Sequence, residues 1–222
     1  MPAAGSGQRF GQALPKQYMP LAGRTVIECS LAPFLADPRC DAVVVAVAAN
    51  DERFARLPLA SQARVCTVTG GNQRADSVLA ALESIQAGDD EWVLVHDAAR
   101  PCVTRAEIDA LLEVAGSDSD GGLLAVPLAD TLKLEVAGRA RETPSRESLW
   151  RALTPQMFRL GALRSALQAA RSAGRSPTDE AQALEWQGRQ PRLVAGSSLN
   201  LKITTAADLV LAAAILSQRG DR

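Results

Sequence analysis

Two glycines and two cations near the start of the chain have the residue types of a phosphate-binding loop. The segment Pro2–Lys16 reads PAAGSGQRFGQALPK, with Gly5 and Gly7 in a small-residue turn and Arg9 soon after. Glycine lets backbone N–H groups approach a phosphate closely, and Arg and Lys supply positive charge. In an α/β chain this pattern predicts a nucleoside triphosphate site. The alternative is an ordinary glycine-rich turn with two solvated cations.

Two common nucleotide-binding motifs are excluded. The dinucleotide fingerprint requires a third glycine at the position that Phe10 occupies. The Walker loop requires Gly-Lys-Ser or Gly-Lys-Thr, and neither tripeptide occurs in the sequence. Any phosphate site in this chain must therefore be built in another way.

A second candidate site is the segment Val93–Pro101, which reads VLVHDAARP. A strand that ends at His96 would place Asp97 at its carboxyl end, where α/β proteins bind ligands. Mg²⁺ takes one or two carboxylates together with phosphate and water oxygens, so Asp97 is a candidate metal ligand and Arg100 could hold a second anion. The alternative is a capping aspartate paired with an arginine, and His96 is expected to be a packed, hydrogen-bonded residue rather than a catalyst.

A third candidate is the segment Gly70–Val78, GGNQRADSV, where two glycines precede a helical pattern. Glycine backbone and the hydroxyl of Ser77 could bind a base edge or a ribose. The alternative is a simple turn before a helix N-terminus.

Composition narrows the functional classes. The 222 residues carry a net charge of −1, which gives no electrostatic case for binding nucleic acid or an acidic membrane. No apolar run approaches the ~20 residues of a membrane span, and no signal peptide is visible. One histidine excludes a His–His metal site and favours a reaction without a general base. The dispersed cysteines, Cys29, Cys40, Cys66 and Cys102, indicate reduced thiols in a cytoplasmic protein.

Strand and helix patterns alternate along the chain, which predicts an α/β fold with a mostly parallel, Rossmann-like sheet flanked by helices. Residues 1–222 are expected to form a single domain. Buried strands are predicted at 42–48, 63–68, 92–95 and 122–127, and late short strands at 193–195 and 200–204. Helices are predicted at 74–85, 160–173, 178–186 and 205–217. A capping box at Thr104 and Glu107 predicts a further helix that continues to Leu112.

Two features depart from the alternation. Residues 131–136 alternate in polarity and precede Gly138, which predicts an antiparallel hairpin within a projecting arm at about 129–148. Such a hairpin needs a partner surface, and another subunit is the expected one.

The phosphate loop would normally follow a strand, but only Met1 precedes Pro2. Either a strand lies upstream of this sequence or the sheet lacks it, which would leave neighbouring backbone groups unpaired.

Seven segments together carry a resemblance that spans essentially the whole chain. They are PAAGSGQRFG…PKQY, GGNQRADSV, VLVHDAARP, LAVPLADTLK, LWRALTPQMF, PTDEAQALE and NLKIT, in that order. The chain resembles the 2-C-methyl-D-erythritol 4-phosphate cytidylyltransferase family of the non-mevalonate isoprenoid pathway. The first loop alone would indicate only a sugar-phosphate nucleotidyltransferase, and the later segments are more specific.

The resemblance implies a role for each matching residue. The CTP site would comprise Ala3, Ala4, Gly5, Gly7, Arg9, Lys16, Gly71, Asn72, Ser77 and Asp97. The methylerythritol phosphate site would comprise Asp97, Arg100, Thr131, Arg146, Thr154, Thr178 and Lys202. Catalysis would depend on Arg9 and Lys16, which stabilise the transition state, and on Arg146 and Lys202, which orient the attacking phosphate. Asp97 would bind Mg²⁺, and the arm with Thr131 and Arg146 would cross a homodimer. Phe10 stands where the family usually has Met or Leu, and Asn72 where a residue is often acidic.

The implied reaction is transfer of CMP from CTP to 2-C-methyl-D-erythritol 4-phosphate, with release of pyrophosphate. The acceptor phosphate is already ionised near neutral pH, which agrees with a chain that has one histidine. Two alternatives stay open: a cytidylyltransferase for another polyol phosphate such as ribitol 5-phosphate, and a non-catalytic nucleotide-binding dimer.

Overall fold

The computed structural model describes residues 1–5 and 14–220. Its β-strands are β1 (Pro20–Leu21), β2 (Arg24–Thr25), β3 (Val43–Val47), β4 (Val65–Thr69), β5 (Trp92–Val95), β6 (Gly122–Pro127), β7 (Leu134–Val136), β8 (Arg139–Glu142), β9 (Trp150–Arg159) and β10 (Arg192–Ala195). Its α-helices are α1 (Val26–Leu35), α2 (Arg74–Ser84), α3 (Arg105–Gly116), α4 (Leu160–Ser172), α5 (Glu180–Glu185) and α6 (Ala206–Arg219). None of the described helices is long and apolar enough to cross a membrane.

The main sheet has the strand order β10–β6–β9–β5. Strands β10 and β6 are parallel, whereas β9 is antiparallel to both β6 and β5. It follows that β5, β6 and β10 share one direction and that β9 alone opposes them. Strands β3 and β4 form a separate parallel pair. The α/β class is confirmed, and the sheet is mixed because of β9.

Helices cover both faces of the main sheet. Leu123 of β6 and Phe158 of β9 pack with α2, α4 and α5, while their neighbours Leu124 and Met157 pack with α3. This alternation follows from the two-residue period of a strand, which sends successive side chains to opposite faces. Apolar runs without polar alternation therefore mark strands that are buried on both sides.

The first residues of the chain extend the β3 edge. Pro2 forms a parallel bridge with Ala46, the Ala3 N–H donates to the Ala46 carbonyl (2.8 Å), and the Ala46 N–H donates to the Met1 carbonyl (2.9 Å). The loop therefore does follow a short extended segment. Among the described residues, no strand joins β3 to β5, and a cavity of about 810 Å³ lies between them, lined by residues of β3, β4, β5 and by Met1. This agrees with both expected alternatives, a strand upstream of this sequence or a sheet that lacks it.

The arm is the least buried part of the described chain. Strands β7 and β8 pair only with each other and are exposed throughout. Large apolar side chains are exposed on the arm and at its base, with Leu134 48%, Val136 46%, Leu149 43% and Trp150 39% accessible. The predicted antiparallel hairpin is confirmed, although its first strand begins at Leu134 rather than at 131.

Most other elements match their predicted bounds. The strands predicted to be buried at 42–48 and 63–68 form β3 and β4, but the prediction of burial is wrong for β4, which is exposed at Cys66, Thr67 and Thr69, and β3 is buried only at Val45 and Ala46. The Thr104–Glu107 capping box is present, but α3 continues to Gly116 rather than Leu112. The strand predicted at 200–204 is wrong: the segment is irregular, because the Ile203 N–H bonds to the Ala99 carbonyl and the Lys202 side chain reaches Asp97. Strand β9 and helix α1 have no counterpart among the predictions. All four cysteines are thiols that form no disulfide among the described residues.

Candidate active site

Asp97 lies just beyond the carboxyl end of β5 and is surrounded by three cations. Arg74 Nε donates to Oδ1 (3.0 Å), and Lys202 Nζ lies 2.8 Å from Oδ2. Arg100 Nε lies 3.6 Å from Oδ2. Parallel-sheet geometry explains the meeting, because the loops that leave neighbouring strand ends converge at one edge of the sheet.

The charge state of Asp97 follows from competing effects. Burial alone would raise the pKa of the carboxyl, but Arg74, Lys202 and Arg100 together outweigh it and hold that pKa far below its usual range. Asp97 is therefore a carboxylate at every pH at which the protein would work. Three cations around one carboxylate also provide positive charge that can bind further anions at this place.

His96 and Thr154 fix the backbone that carries Asp97. His96 Nε2 lies 3.0 Å from the Arg100 carbonyl, so this nitrogen carries the proton. Its Nδ1 then accepts from the Thr154 hydroxyl at 2.9 Å, and the Thr154 oxygen accepts from the Asp97 N–H at 3.0 Å. Burial lowers the pKa of His96 to about 4, which keeps the ring neutral. The expectation of a packed, hydrogen-bonded histidine is confirmed.

Two neighbouring side chains, Gln17 and Lys16, connect the described part of the first loop and the Lys202 segment. Gln17 Nε2 donates to the carbonyls of Ala3 (2.8 Å) and Gly5 (3.0 Å). Lys16 Nζ donates to the Ile203 carbonyl at 2.9 Å, one residue from Lys202. Gly7, Arg9 and Phe10 lie outside the described residues.

The Gly70–Ser77 segment packs against the first loop. A Cβ on Gly70 would lie 2.7 Å from both the Ala4 Cβ and the Ser77 Oγ, and one on Gly71 would lie 2.3 Å from the Asp76 Cβ. The Ser77 hydroxyl is buried, accepts from the Gly71 N–H (3.2 Å) and lies 3.2 Å from the Gln73 carbonyl. Ser77 therefore orders the loop, whereas Asn72 is exposed at its surface.

Arg100 and Asn200 form a buried polar layer beneath Asp97. Arg100 Nη1 donates to the Asn200 carbonyl (2.7 Å), and Asn200 Nδ2 donates to the Thr154 carbonyl (2.9 Å). Arg100 is 8% exposed, and its Nε has no hydrogen-bond partner within the described part of the chain. In this state Arg100 supports the Lys202 segment.

Comparison with known proteins identifies the family. The family model for 2-C-methyl-D-erythritol 4-phosphate cytidylyltransferase matches residues 1–218. A relative of that name from Ectopseudomonas mendocina is 50% identical over 213 residues, which cover 94% of this chain and 91% of the relative. A relative of the same name from Vibrio vulnificus is 46% identical over 225 residues, covering 100% of this chain and 95% of the relative. The chain belongs to the 2-C-methyl-D-erythritol 4-phosphate cytidylyltransferase family.

Solved cytidylyltransferase structures share this fold. The Francisella tularensis 2-C-methyl-D-erythritol 4-phosphate cytidylyltransferase matches with a TM-score of 0.83 and 38% identity, covering 97% of both chains. The enzyme from Thermus thermophilus matches with a TM-score of 0.81 and 32% identity, covering 97% of this chain and 96% of that one. The fold and the family resemblance expected from the sequence are therefore confirmed.

The remaining residues expected for a cytidylyltransferase are dispersed in the single chain. Thr131 and Arg146 are exposed on the arm, where Arg146 donates to the Ala129 carbonyl. Among the described contacts, none joins either residue to Asp97. Thr178 is also exposed, and its N–H donates to Gln182 Oε1 at 2.9 Å. Lys202 and Thr154, by contrast, touch Asp97 directly.

Two residues in the cytidylyltransferase segments received no role from sequence reasoning. Arg74 lies between Asp97 and Glu180, whose side chain is 1% exposed. Burial raises the pKa of the Glu180 carboxyl, although the Arg74 guanidinium opposes this effect. The only sequence signal was the presence of both residues within the quoted segments GGNQRADSV and PTDEAQALE.

Proposed function

We propose that this chain transfers CMP from CTP to 2-C-methyl-D-erythritol 4-phosphate. The products are the cytidine diphosphate derivative of the acceptor, 4-CDP-2-C-methyl-D-erythritol, and pyrophosphate. The observation that carries the proposal is the convergence of Asp97, Lys202 and Lys16 at one edge of the sheet in a chain of this family. We infer a single nucleotidyltransferase domain over residues 1–222, with the arm at about 129–148.

The chemistry requires positioning and charge neutralisation rather than a general base. An ionised oxygen of the acceptor phosphate forms a bond to the α-phosphorus of CTP. The bond from that phosphorus to the bridging oxygen breaks, and pyrophosphate leaves with the electron pair. Arg9 and Lys16 neutralise charge at the α-phosphate, while Lys202 and Arg146 align the attacking oxygen. The single buried histidine agrees with this, since its low pKa makes it a poor proton carrier.

Nucleotide selectivity would arise from backbone walls. Main-chain atoms of Ala3, Ala4 and Gly71 would wall the expected base pocket, and Gly71 has no room for a side chain, since a Cβ there would lie 2.3 Å from the Asp76 Cβ. Main-chain walls cannot move aside for a purine as a flexible side chain could. CTP should therefore be preferred over ATP.

The residues present fit a magnesium ion that arrives with the nucleotide. Asp97 is ionised, but no group of three His, Cys, Asp or Glu side chains suitable for a metal occurs within residues 1–5 and 14–220. One carboxylate with phosphate and water oxygens is a common Mg²⁺ environment. Bound there, Mg²⁺ would supply Lewis-acid neutralisation of the triphosphate. Asp97 would hold it, and Lys202 would then be released from Oδ2.

A homodimer would complete the site. The exposed arm carries Thr131, Arg146 and the apolar side chains of Leu134 and Val136, which are surfaces that a second subunit could cover. A two-fold dimer would bring each arm to the partner's site. We also propose a cytoplasmic protein, in agreement with cysteines that are reduced.

The experiment is a panel of acceptors with CTP and Mg²⁺, in which pyrophosphate release is measured. Release should be fastest with 2-C-methyl-D-erythritol 4-phosphate, should stop with chelator and should return when Mg²⁺ is restored. Faster release with ribitol 5-phosphate would assign the other polyol substrate. Binding of CTP without release for any acceptor would indicate the non-catalytic dimer.

A further inference from the structure

Arg74 joins two carboxylates that are far apart in the sequence. Its Nε donates to Asp97 Oδ1 at 3.0 Å, while Nη1 and Nη2 donate to Glu180 Oε1 and Oε2 at 2.6 Å and 3.0 Å. The contact with Glu180 is bidentate, the geometry in which a planar guanidinium binds a carboxylate most strongly. Arg74 is thus fixed in orientation by Glu180 and presents its remaining edge to Asp97.

Glu180 has a rigid support. It is the first residue of α5, and the residues on either side are both held by Gln156 of β9. Gln156 Nε2 donates to Asp179 Oδ2 (2.9 Å), and the Ala181 N–H donates to Gln156 Oε1 (3.0 Å). Because Gln156 and Glu180 are both 1% exposed, the carboxylate has little freedom to follow Arg74. Glu180 therefore determines where the guanidinium lies.

The two oxygens of Asp97 have different partners. Oδ1 is bound by Arg74, which is anchored on a buried residue. Oδ2 is bound by Lys202, whose side chain is 40% exposed and lies on an irregular segment, while Arg100 Nε lies farther from this oxygen, at 3.6 Å. Another cation can displace the Lys202 side chain from Asp97 without disturbing the core. Displacing Arg74 would disturb the core, because Arg74 is anchored on buried Glu180. Oδ2 is therefore the oxygen available to an incoming ion.

Arg74 also links three loops of the proposed site. It is the first residue of α2, directly after the Gly71–Gln73 turn. Glu180 follows Thr178 by two residues, and Asp97 lies two residues after the end of β5. A shift of any one loop would alter the geometry at the shared guanidinium.

We propose that Arg74, fixed by Glu180, is a positioning residue that holds Oδ1 of Asp97 and so presents Oδ2 to the metal–triphosphate. The inference rests on the proposed function. It assigns to the Arg74–Glu180 pair a role in the affinity for metal-bound nucleotide, beyond any role in stability.

The decisive variant is Arg74→Gln/Glu180→Gln. Each single change would leave a buried charge without its partner, which destabilises a protein strongly. The double change removes both charges of the Arg74–Glu180 pair and keeps a hydrogen-bonding pair of similar size, while Asp97 keeps Lys202 and Arg100 as its cations. Arg74→Lys is the second variant, since it keeps the charge but lacks the planar guanidinium that binds Glu180 bidentately while Nε holds Asp97. The matched control is Arg56→Gln/Glu52→Gln, which neutralises an exposed Arg–Glu pair.

Three quantities are measured for each protein: thermal unfolding, Mn²⁺ binding in the presence of CTP by electron paramagnetic resonance, and pyrophosphate release. The double variant should unfold near the parental temperature yet bind Mn²⁺ with CTP about 10- to 100-fold more weakly, as is typical when the partner of a metal ligand is lost. Arg74→Lys should show the same weakening, and the control should match the parent in all three measurements.

Parental affinity for Mn²⁺ with CTP in the folded double variant would overturn the inference. If the double variant does not fold, parental affinity in Arg74→Lys would overturn it equally. Failure of the proposed function has a different signature, because the parental protein itself would then release no pyrophosphate with 2-C-methyl-D-erythritol 4-phosphate, whatever its affinity for Mn²⁺ with CTP.

Discussion

The ammonium nitrogen of Lys202 lies 2.8 Å from Oδ2 of Asp97, so the lysine proposed to orient the acceptor phosphate is paired with the proposed metal ligand. The pair is asymmetric, because Asp97 is almost buried and Lys202 is 40% exposed on its side chain. Lys202 can therefore leave Asp97 for a phosphate, while Arg74 and Arg100 keep the carboxylate ionised.

Lys202→Ala should reduce kcat by about 10²-fold and raise KM for the acceptor, the scale seen when one preorganised charged donor is removed. KM for CTP should change little, because Lys202 is expected to contact the acceptor. Steady-state kinetics with each substrate varied in turn would measure this, with Arg56→Ala as an exposed control. An unchanged kcat together with an unchanged acceptor KM would remove Lys202 from the mechanism.

Lys16→Ala should also reduce kcat by roughly 10²-fold, since Lys16 is expected to neutralise charge that develops at the α-phosphate. Its present contact, the Ile203 carbonyl at 2.9 Å, places it beside the Lys202 segment. Arg9→Ala should act in the same direction. If pre-steady-state measurements gave near-parental chemistry for both variants, the two residues would be ordinary surface cations.

The neutral state of His96 predicts a pH dependence of stability. Its pKa is lowered to about 4 by burial, whereas an unfolded histidine has a pKa of about 6.5. The unfolded state therefore binds more protons between these values, and the contribution of His96 is present above pH 6.5 and lost as the pH falls toward 4. The loss should be on the order of 3 kcal/mol.

Urea unfolding of the parent and of His96→Gln from pH 7.5 to pH 4.5 would measure this effect. Other groups titrate in both proteins, but only the parent has the contribution of His96. The parent should therefore lose more unfolding free energy on acidification than the variant does. Equal slopes for the two proteins would mean that His96 is charged or exposed in the folded state.

Several elements were predictable because their signals are local. Trp92–Val95 and Gly122–Pro127 are uniformly apolar and form strands with the predicted bounds, the first half-buried and the second mostly buried. The Thr104–Glu107 capping box lies within one turn. Strand β9 was missed because Pro155, Gln156 and Arg151 interrupt its apolar pattern; Pro155 cannot donate to a ladder, yet the strand lies between β5 and β6.

The contacts around Asp97 were not predictable from local patterns. Arg74 and Glu180 are 106 residues apart, and Lys202 follows Asp97 by more than a hundred positions. Only the fold brings them together, and no spacing rule anticipates such pairs. Thr154 likewise was expected to bind substrate, whereas its hydroxyl is engaged by His96 and the Asp97 backbone in this structure.

The exposed arm predicts that each active site uses two chains. Arg146→Ala and Lys16→Ala should each be nearly inactive as homodimers. A mixed dimer would contain one site with both defects and one site with neither, so activity should return to about half of the parental value per mixed dimer, as two-fold symmetry requires. Native mass spectrometry would verify that mixed dimers form. No recovery in verified mixed dimers would place Arg146 in its own chain's site.

The attack of an acceptor oxygen on the α-phosphorus of CTP can be followed with an isotope. The acceptor, 2-C-methyl-D-erythritol 4-phosphate, is labelled with ¹⁸O in its non-bridging phosphate oxygens and incubated with CTP, Mg²⁺ and the protein. The ³¹P resonances of the products then report where the label lies. We expect one ¹⁸O in the bridge between the two phosphorus atoms of the product and none in pyrophosphate. Label in pyrophosphate, or CMP formed without a diphosphate product, would contradict this mechanism.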